Sequence, residues 1–294
     1  MLPSGAMTRA LLICAFAVAN VAYAQNPAPT QSPEQVQAPA QPVQSRPLQF
    51  VDMKNVSNSS DTDAQKAAQV LDRMVSALGG ARWMAITDVE QEGRSASFYH
   101  GNPNGGYTLF WSFHRFPDHD RIEATKQRNV VQIINGNDAW EVTFQGKHRL
   151  DKDVSTEFLR RRDHSIEAVL RIWLKKPGNV LFYGGQRMAE RHLADEVTIL
   201  TDDNDSVTLL VDTNSHLPRT RTFYWRDPVY KDKNQDDETY DNWHLADGLP
   251  SAFIVTRYRN SDMTRQVYLS KVGYNQGLPD SMFDADLEAA KQLK

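Results

Sequence analysis

The chain reads as an α+β protein, mainly β: one curved antiparallel sheet forming a half-open barrel, covered by two or three helices. Three observations predict this. About a dozen short segments alternate apolar and polar residues and are separated by Gly, Asn, Asp and Pro turns. Two separated segments carry apolar residues at spacings of three and four. The five strands ahead of the second helical segment follow one another at the spacing of a meander. A sheet of that many strands either closes or curls, and a curled sheet needs a cover over its concave face.

The composition narrows the function classes. The chain has 294 residues, a formal net charge of −4 and one cysteine. No run reaches the roughly 20 apolar residues of a spanning helix, which excludes a polytopic membrane protein. One cysteine makes neither a disulfide framework nor a cysteine zinc site. The near-neutral balance gives no pull toward nucleic acid.

Residues 1–24 read as a signal peptide. Met7 is the expected start, Arg9 is the positive end, and residues 10–24 are almost all apolar or small. Ala22-Tyr23-Ala24 fits the small-x-small cleavage pattern before Gln25. An N-terminal anchor helix is the alternative, disfavoured because the apolar stretch is about 15 residues where a span needs ~20. Cys14 follows Ile13 and has only four apolar residues upstream, so lipidation is rejected. Cleavage removes the only cysteine and Arg9, leaving a charge of −5. The protein is therefore expected to be exported, and periplasmic if the host has an outer membrane.

Residues 25–60 read as a Pro/Gln-rich disordered linker. Residues 25–47 hold six of the fourteen prolines and show no hydrophobic period. Such a stretch cannot bury enough surface to offset chain entropy.

Residues 61–294 read as one domain. A helix is predicted over 61–79, with Ala64, Ala67, Ala68, Leu71, Met74, Val75 and Leu78 on one face and Gly79-Gly80 as its stop. Strands follow at 88–99, 107–116, 121–127, 129–134 and 139–144, a meander with the turn Gly101–Gly106 and the break Pro117–Asp120. The segment 153–175 returns to helical spacing through Phe158, Leu159, Ile166, Val169, Leu170 and Trp173, with an interruption expected near Arg162-Asp163. Pro177-Gly178 ends it. Strands resume near 179–190, 193–201, 206–213, 218–226, 238–246, 250–259 and 264–274, and a last short helix is predicted over 281–293.

Several short motifs then resemble one family in their order along the chain. Leu78-Gly79-Gly80 closes the first helix. Val211-Asp212-Thr213 is followed by Leu217-Pro218-Arg219. Asp241-Asn242-Trp243-His244 precedes Asp247-Gly248-Leu249-Pro250, and Asn275 to Phe283 form a closing segment. Over about residues 61–284 this order resembles the outer-membrane lipoprotein-sorting superfamily of LolA, LolB and RseB. The resemblance implies a non-enzymatic carrier or sensor that binds acyl chains, lipids, lipoproteins or peptide-like ligands between sheet and helices. It implies no cofactor and allows another envelope protein as partner. LolB-type receptors are lipid-anchored, and this chain has no usable anchor cysteine. The family's cavity arginine matches no unique position here.

The aromatic and helical apolar residues are the expected ligand-binding set: Leu71, Met74, Leu78, Trp111, Phe113, Trp140, Phe144, Trp173 and Trp225. Most of them read first as ordinary core, with a pocket wall as the alternative. If they line a pocket, burying twelve methylenes supplies about 10 kcal/mol, at ~0.8 per CH₂ before ordering costs. Arg219, Arg221, Arg257 and Arg259 alternate along two late strands and read as a solvated outer face, with contact to a headgroup or acidic partner as the alternative.

No signature of a serine hydrolase, β-lactamase, P-loop, zincin or dinucleotide site is present. The cluster His114, Asp118, His119 and Asp120 reads as a polar turn before it reads as a metal site. Residues 231–238 carry D-x-N-x-D spacing, yet Asp237 and Trp243 stand where a calcium loop needs Gly and Glu, so a solvated hairpin tip is expected. Three functions remain open: a lipid or lipoprotein carrier, a protein-interaction or sensor module of the same fold, and an exported hydrolase using carboxylates.

Overall fold

The chain runs through two antiparallel meanders joined by helices. The computed structural model describes residues 48–292, so the signal peptide, Cys14 and the linker as far as residue 47 lie outside the described residues. Helix α1 (Thr62–Leu78) and the short α2 (Ala81–Met84) lead into β1 (Asp88–Tyr99), β2 (Asn102–Pro103), β3 (Thr108–Arg115), β4 (His119–Ala124), β5 (Val130–Asn135), β6 (Asp138–Thr143) and β7 (Gly146–Arg149). Helices α3 (Lys152–Asp163) and α4 (Ile166–Arg171) and a 3₁₀ turn (Trp173–Lys175) follow. The second meander is β8 (Val180–Ala189), β9 (His192–Leu200), β10 (Ser206–Asp212), β11 (Pro218–Arg226), β12 (Lys233–Ala246), β13 (Leu249–Arg259) and β14 (Asp262–Tyr274). A 3₁₀ turn (Asp280–Phe283) and α5 (Ala285–Gln292) come last.

All fourteen strands belong to one open, curved, antiparallel sheet, ordered β7-β6-β5-β4-β3-β1-β14-β13-β12-β11-β10-β9-β8, with β2 paired to β1. The first long strand and the last therefore meet in the middle. The two ends of the sheet, β7 and β8, are joined by the α3–α4 connection, which crosses the inner face. The predicted break in the 153–175 helix is real. Asp163 ends α3, and Ser165 caps α4 by accepting from Ala168 N–H.

The main core lies under α1. Leu71 and Met74 are fully buried, and Val75 and Leu78 nearly so. They pack with Val169, Leu170, Trp173 and Leu174 of the connection against Leu181, Val197, Ile199, Leu209, Val211 and Phe223 of β8 to β11. Burying the five large apolar side chains of α1 contributes on the order of 10 kcal/mol. A smaller cluster, Ile134, Ala139 and Leu150 with Phe158 and Leu159, lies under α3. On the opposite face, α5 covers Val131, Ile133 and Val142.

Residues 48–60, read from composition as part of the linker, lie against the domain. Val51 and Val56 are buried, and Asp72 of α1 accepts the Phe50 and Val51 N–H groups at 2.6 and 2.8 Å. Val56 bridges to Asn179 at the start of the second meander. Four of the segment's five apolar residues dock it, since Phe50 and Met53 also reach the main core.

The motifs that carry the family resemblance are structural joints. A Cβ on Gly79 would fall 2.4 Å from Leu249 Cδ2, so the end of α1 rests directly on the turn between β12 and β13. Arg82 donates to Asp247 O at 2.9 Å, and Tyr274 N–H donates to Asp247 Oδ2 at 2.8 Å. Buried Asp88 receives the Gln276 and Gly277 N–H groups, tying down the closing segment. Asp212 receives the Asn214 and Ser215 N–H groups and Arg219 Nε. Each motif fixes one corner of the sheet.

Candidate functional site

Strand register sets a row of charges across the inner face beneath α3. Arg221 on β11 faces Glu238 on β12, Glu238 faces Arg257 on β13, and Arg257 faces Arg265 on β14. Two residues further along, Phe223 faces Asp236, which faces Arg259. Because side chains alternate across a strand, all of these point to the side that α3 covers. From α3 itself come Glu157, Arg160 and Arg161.

The contacts are close and mostly buried. Arg221 is 1% exposed; it donates through Nη1 to the carbonyls of Arg161 and His164 and through Nη2 to Glu238 at 2.9 Å. Glu238 also accepts from Arg257 Nε at 2.7 Å and the Tyr240 hydroxyl at 2.8 Å. Asp236 is fully buried and accepts from Arg259 Nε at 3.1 Å and Trp225 Nε1 at 3.2 Å. Arg259 also pairs with Glu157 at 3.0 Å. Arg160 lies 3.5 Å over the Trp225 ring. Arg265 donates to Ser95 Oγ at 3.0 Å.

Six arginines (160, 161, 221, 257, 259 and 265) thus stand around three carboxylates (Glu157, Asp236 and Glu238), leaving three positive charges unmatched. Three guanidinium nitrogens, Arg161 Nη1, Arg161 Nη2 and Arg221 Nε, are buried without a hydrogen bond. Arg161 Nη2 sits 3.5 Å from Asp236 Oδ1 and gains charge attraction there without a bond. The electrostatics agree with this count. Burial, then the charges of Arg257 and Arg161, pull Arg265 down to about 10. Burial alone would raise the Glu238 carboxyl, but Arg221, Arg257 and Arg161 hold it far below the usual range.

The expected solvated outer face of Arg219, Arg221, Arg257 and Arg259 is therefore corrected for Arg221, Arg257 and Arg259, which lie on the helix-covered side. Alternation predicts one shared face, but cannot say which face α3 covers. The acidic stretch 231–238 is also not a hairpin tip throughout. From Lys233 it runs as strand β12, with Asp236 and Glu238 inward and Asp237 bound to Thr222 on the other side.

A second polar network lies beside α4. His114 Nδ1 is 2.8 Å from Asp120 and its Nε2 is 3.5 Å from Glu167. Burial alone would lower the imidazole, but these two carboxylates raise it to about 10. Arg162 also reaches Asp120 and the carbonyls of Asp118 and Gly136. His119 pairs with Asp118 at 2.9 Å. Among the described residues no group of three or more His, Cys, Asp or Glu is placed to hold a metal.

The nine expected ligand-binding residues do not form one surface. Leu71, Met74, Leu78 and Trp173 are in the main core, with Trp225 packed against it. Trp111, Phe113 and Trp140 sit in register with Glu123, Arg121 and Ile133, on the face that α5 covers. Phe144 stands 74% exposed in the turn after β6. Two open hollows are polar. One of about 290 Å³ beside α1 is lined by Lys66, Arg73, Tyr183, Gln186 and Asp195, and one of about 440 Å³ by Asn204, Asp205, Tyr224, Trp225 and Lys233.

The architecture is an open, curled antiparallel sheet with a helical connection laid across its inner face and a set of charged groups gathered under the connecting helix. Comparison with solved structures places that architecture. A DUF1329 family protein from Desulfovibrio piger shares the fold at a TM-score of 0.53 and 12% identity, over 76% of this chain and 98% of that one. A putative outer membrane lipoprotein-sorting protein domain from Vibrio parahaemolyticus is similar at 0.49 and 11%, over 76% and 99%. A LolA superfamily protein from Nitrosomonas europaea is similar at 0.47 and 14%, over 77% and 99%. No protein-family model and no curated protein matches the sequence. At 12% identity the likeness to the DUF1329 family protein shows a shared fold.

Proposed function

We propose that this protein is an exported, non-enzymatic binding protein that holds a lipid or lipoprotein between its sheet and the helix α3. The observation that carries this reading is the contrast between the two helical covers. α1 buries eight side chains in a filled core, whereas α3 buries only Arg161 and rests partly on charged groups and partly, through Phe158 and Leu159, on a small apolar cluster. Lifting α1 exposes a large apolar surface. Lifting α3 exposes a smaller apolar surface together with groups that water can solvate, so α3 is the cover that moves at least cost. The signal-like residues 7–24 support export, and the fold supports a binding role. The nine-residue apolar set stays a ligand-contact proposal only for Trp225, which stands at the edge of the charged site.

The filled core under α1 favours a second reading, a protein-interaction or sensor module of the same fold whose partner is another envelope protein. One experiment separates the two. Organic extraction of the purified protein followed by mass spectrometry, with uptake of a fluorescent fatty acid, recovers a lipid on the first reading. Repeated recovery of none, with no uptake, leaves the interaction module.

A further inference from the structure

We infer that the arginine cluster beneath α3 is an anion site that takes a phosphate-type oxyanion, such as the headgroup of an anionic lipid. The inference rests on the reading of α3 as the cover of the ligand site, and it names the chemistry that site selects. Arg257 and Arg265 stand directly opposite each other on neighbouring strands with no carboxylate between them. Like charges in that position destabilise a sheet. Arg161 brings a third guanidinium from above, 7% exposed, with both Nη groups unbonded. Unmet buried donors on a charged group cost free energy, and an oxyanion bridging them removes that cost.

The chemistry fits a multivalent oxyanion. Guanidinium forks donate in pairs to phosphate and carboxylate oxygens. Each acid in the cluster is already engaged: Glu238 by Arg221, Arg257 and Tyr240, Asp236 by Arg259 and Trp225, and Glu157 by Arg161 and Arg259. The side chain of Arg257 is 31% exposed, so the site has an open side through which a headgroup enters without unfolding the core.

The test titrates the purified protein with inorganic phosphate by calorimetry at constant ionic strength. Parallel arms use short-chain phosphatidylglycerol and phosphatidylcholine below their micelle concentrations. Saturable phosphate binding is expected. Arg257→Gln or Arg265→Gln should weaken it about tenfold, equivalent to ~1.4 kcal/mol of charge-assisted bonding. Arg187→Gln, an exposed arginine outside the cluster, should leave it unchanged. Circular dichroism checks that each variant is folded. Phosphatidylglycerol binding tighter than both phosphate and phosphatidylcholine assigns the site to a lipid headgroup, and binding equal to phosphate assigns it to a free oxyanion. No binding of phosphate or phosphatidylglycerol, binding indifferent to Arg257→Gln and Arg265→Gln, or equal binding of both lipids overturns the inference. Lipid recovered by extraction but insensitive to these substitutions leaves the proposed function standing and removes the anion site. Phosphate binding without any lipid uptake does the reverse.

Discussion

Replacing Glu238 by glutamine removes one negative charge from between three cations while keeping the side chain's shape. In the native protein the carboxylate meets Arg221 at 2.9 Å, Arg257 at 2.7 Å and the Tyr240 hydroxyl at 2.8 Å. Arg221 is 1% exposed, so its charge would be left buried with no adjacent carboxylate. Breaking a buried pair by removing one partner costs about 3–5 kcal/mol. The amide oxygen of Gln still accepts one bond, which puts the expected loss near the lower end, about 3 kcal/mol. For a domain of this size that lowers Tm by roughly 6–12 °C. The pH dependence gives an independent reading. Glu238 ionises far more readily in the folded protein than at its ordinary value of 4.5. Its stabilisation is complete above that pH and is lost as pH falls below it. Urea unfolding followed by tryptophan fluorescence, at neutral pH and at steps below 4.5, measures both. Glu238→Gln should be less stable at neutral pH and should lose less stability on acidification. A loss below about 0.5 kcal/mol, the range of ordinary surface substitutions, together with an unchanged acid limb, would refute the buried charge row.

Three further outcomes are expected. His114 is raised from 6.5 to about 10 by Asp120 and Glu167 against the lowering effect of burial, so its stabilisation is full below pH 6.5 and fades as pH climbs through about 10. His114→Gln should remove that alkaline loss and cost about 2 kcal/mol, because Arg162 and Arg171 still serve the two carboxylates; a histidine NMR titration near its ordinary value would contradict this. Gly93→Ala places a Cβ 2.3 Å from Tyr268 O and 3.1 Å from Leu269 Cα at the β1–β14 bulge, both backbone atoms. It should cost about 2 kcal/mol in a thermal melt, and a neutral result would mean that the two strands separate freely there. Met74→Ala empties a fully buried position under α1 and should cost about 3 kcal/mol by urea titration, whereas a change below about 1 kcal/mol would show that α1 is loosely packed.

Particular elements show how far the fold is legible in the chain. The stripe of α1 and its Gly79-Gly80 stop predict a helix over 61–79, and α1 spans Thr62–Leu78. The predicted strands 206–213 and 218–226 appear as Ser206–Asp212 and Pro218–Arg226. Strand β7, Gly146–Arg149, escapes the reading because its four residues carry no apolar alternation and gain their order from pairing with β6. The start of β12 at Lys233 escapes it for a related reason: a run of acids and amides looks like solvated turn until the arginines of β11 and β13 are set beside it. The site is the least legible part. Arg221 and Arg257 alternate correctly with their neighbours, but Arg161 is remote in sequence, and only the helix crossing brings it over them.

The sequence by itself determined the antiparallel, mainly β architecture, the two helical covers, the break within the second and the corners where Gly, Asp and Asn turn the chain. These are local consequences of side-chain period and backbone preference, and they act within a few residues. Only the tertiary structure decided which face of each strand is inside, that α1 lies on apolar side chains while α3 also spans charged ones, and that the arginines of β11, β13 and β14 face their counterparts on α3. Those facts depend on strand register and on pairing between residues far apart in the chain. A period of two marks both faces of a strand alike until a neighbour covers one of them.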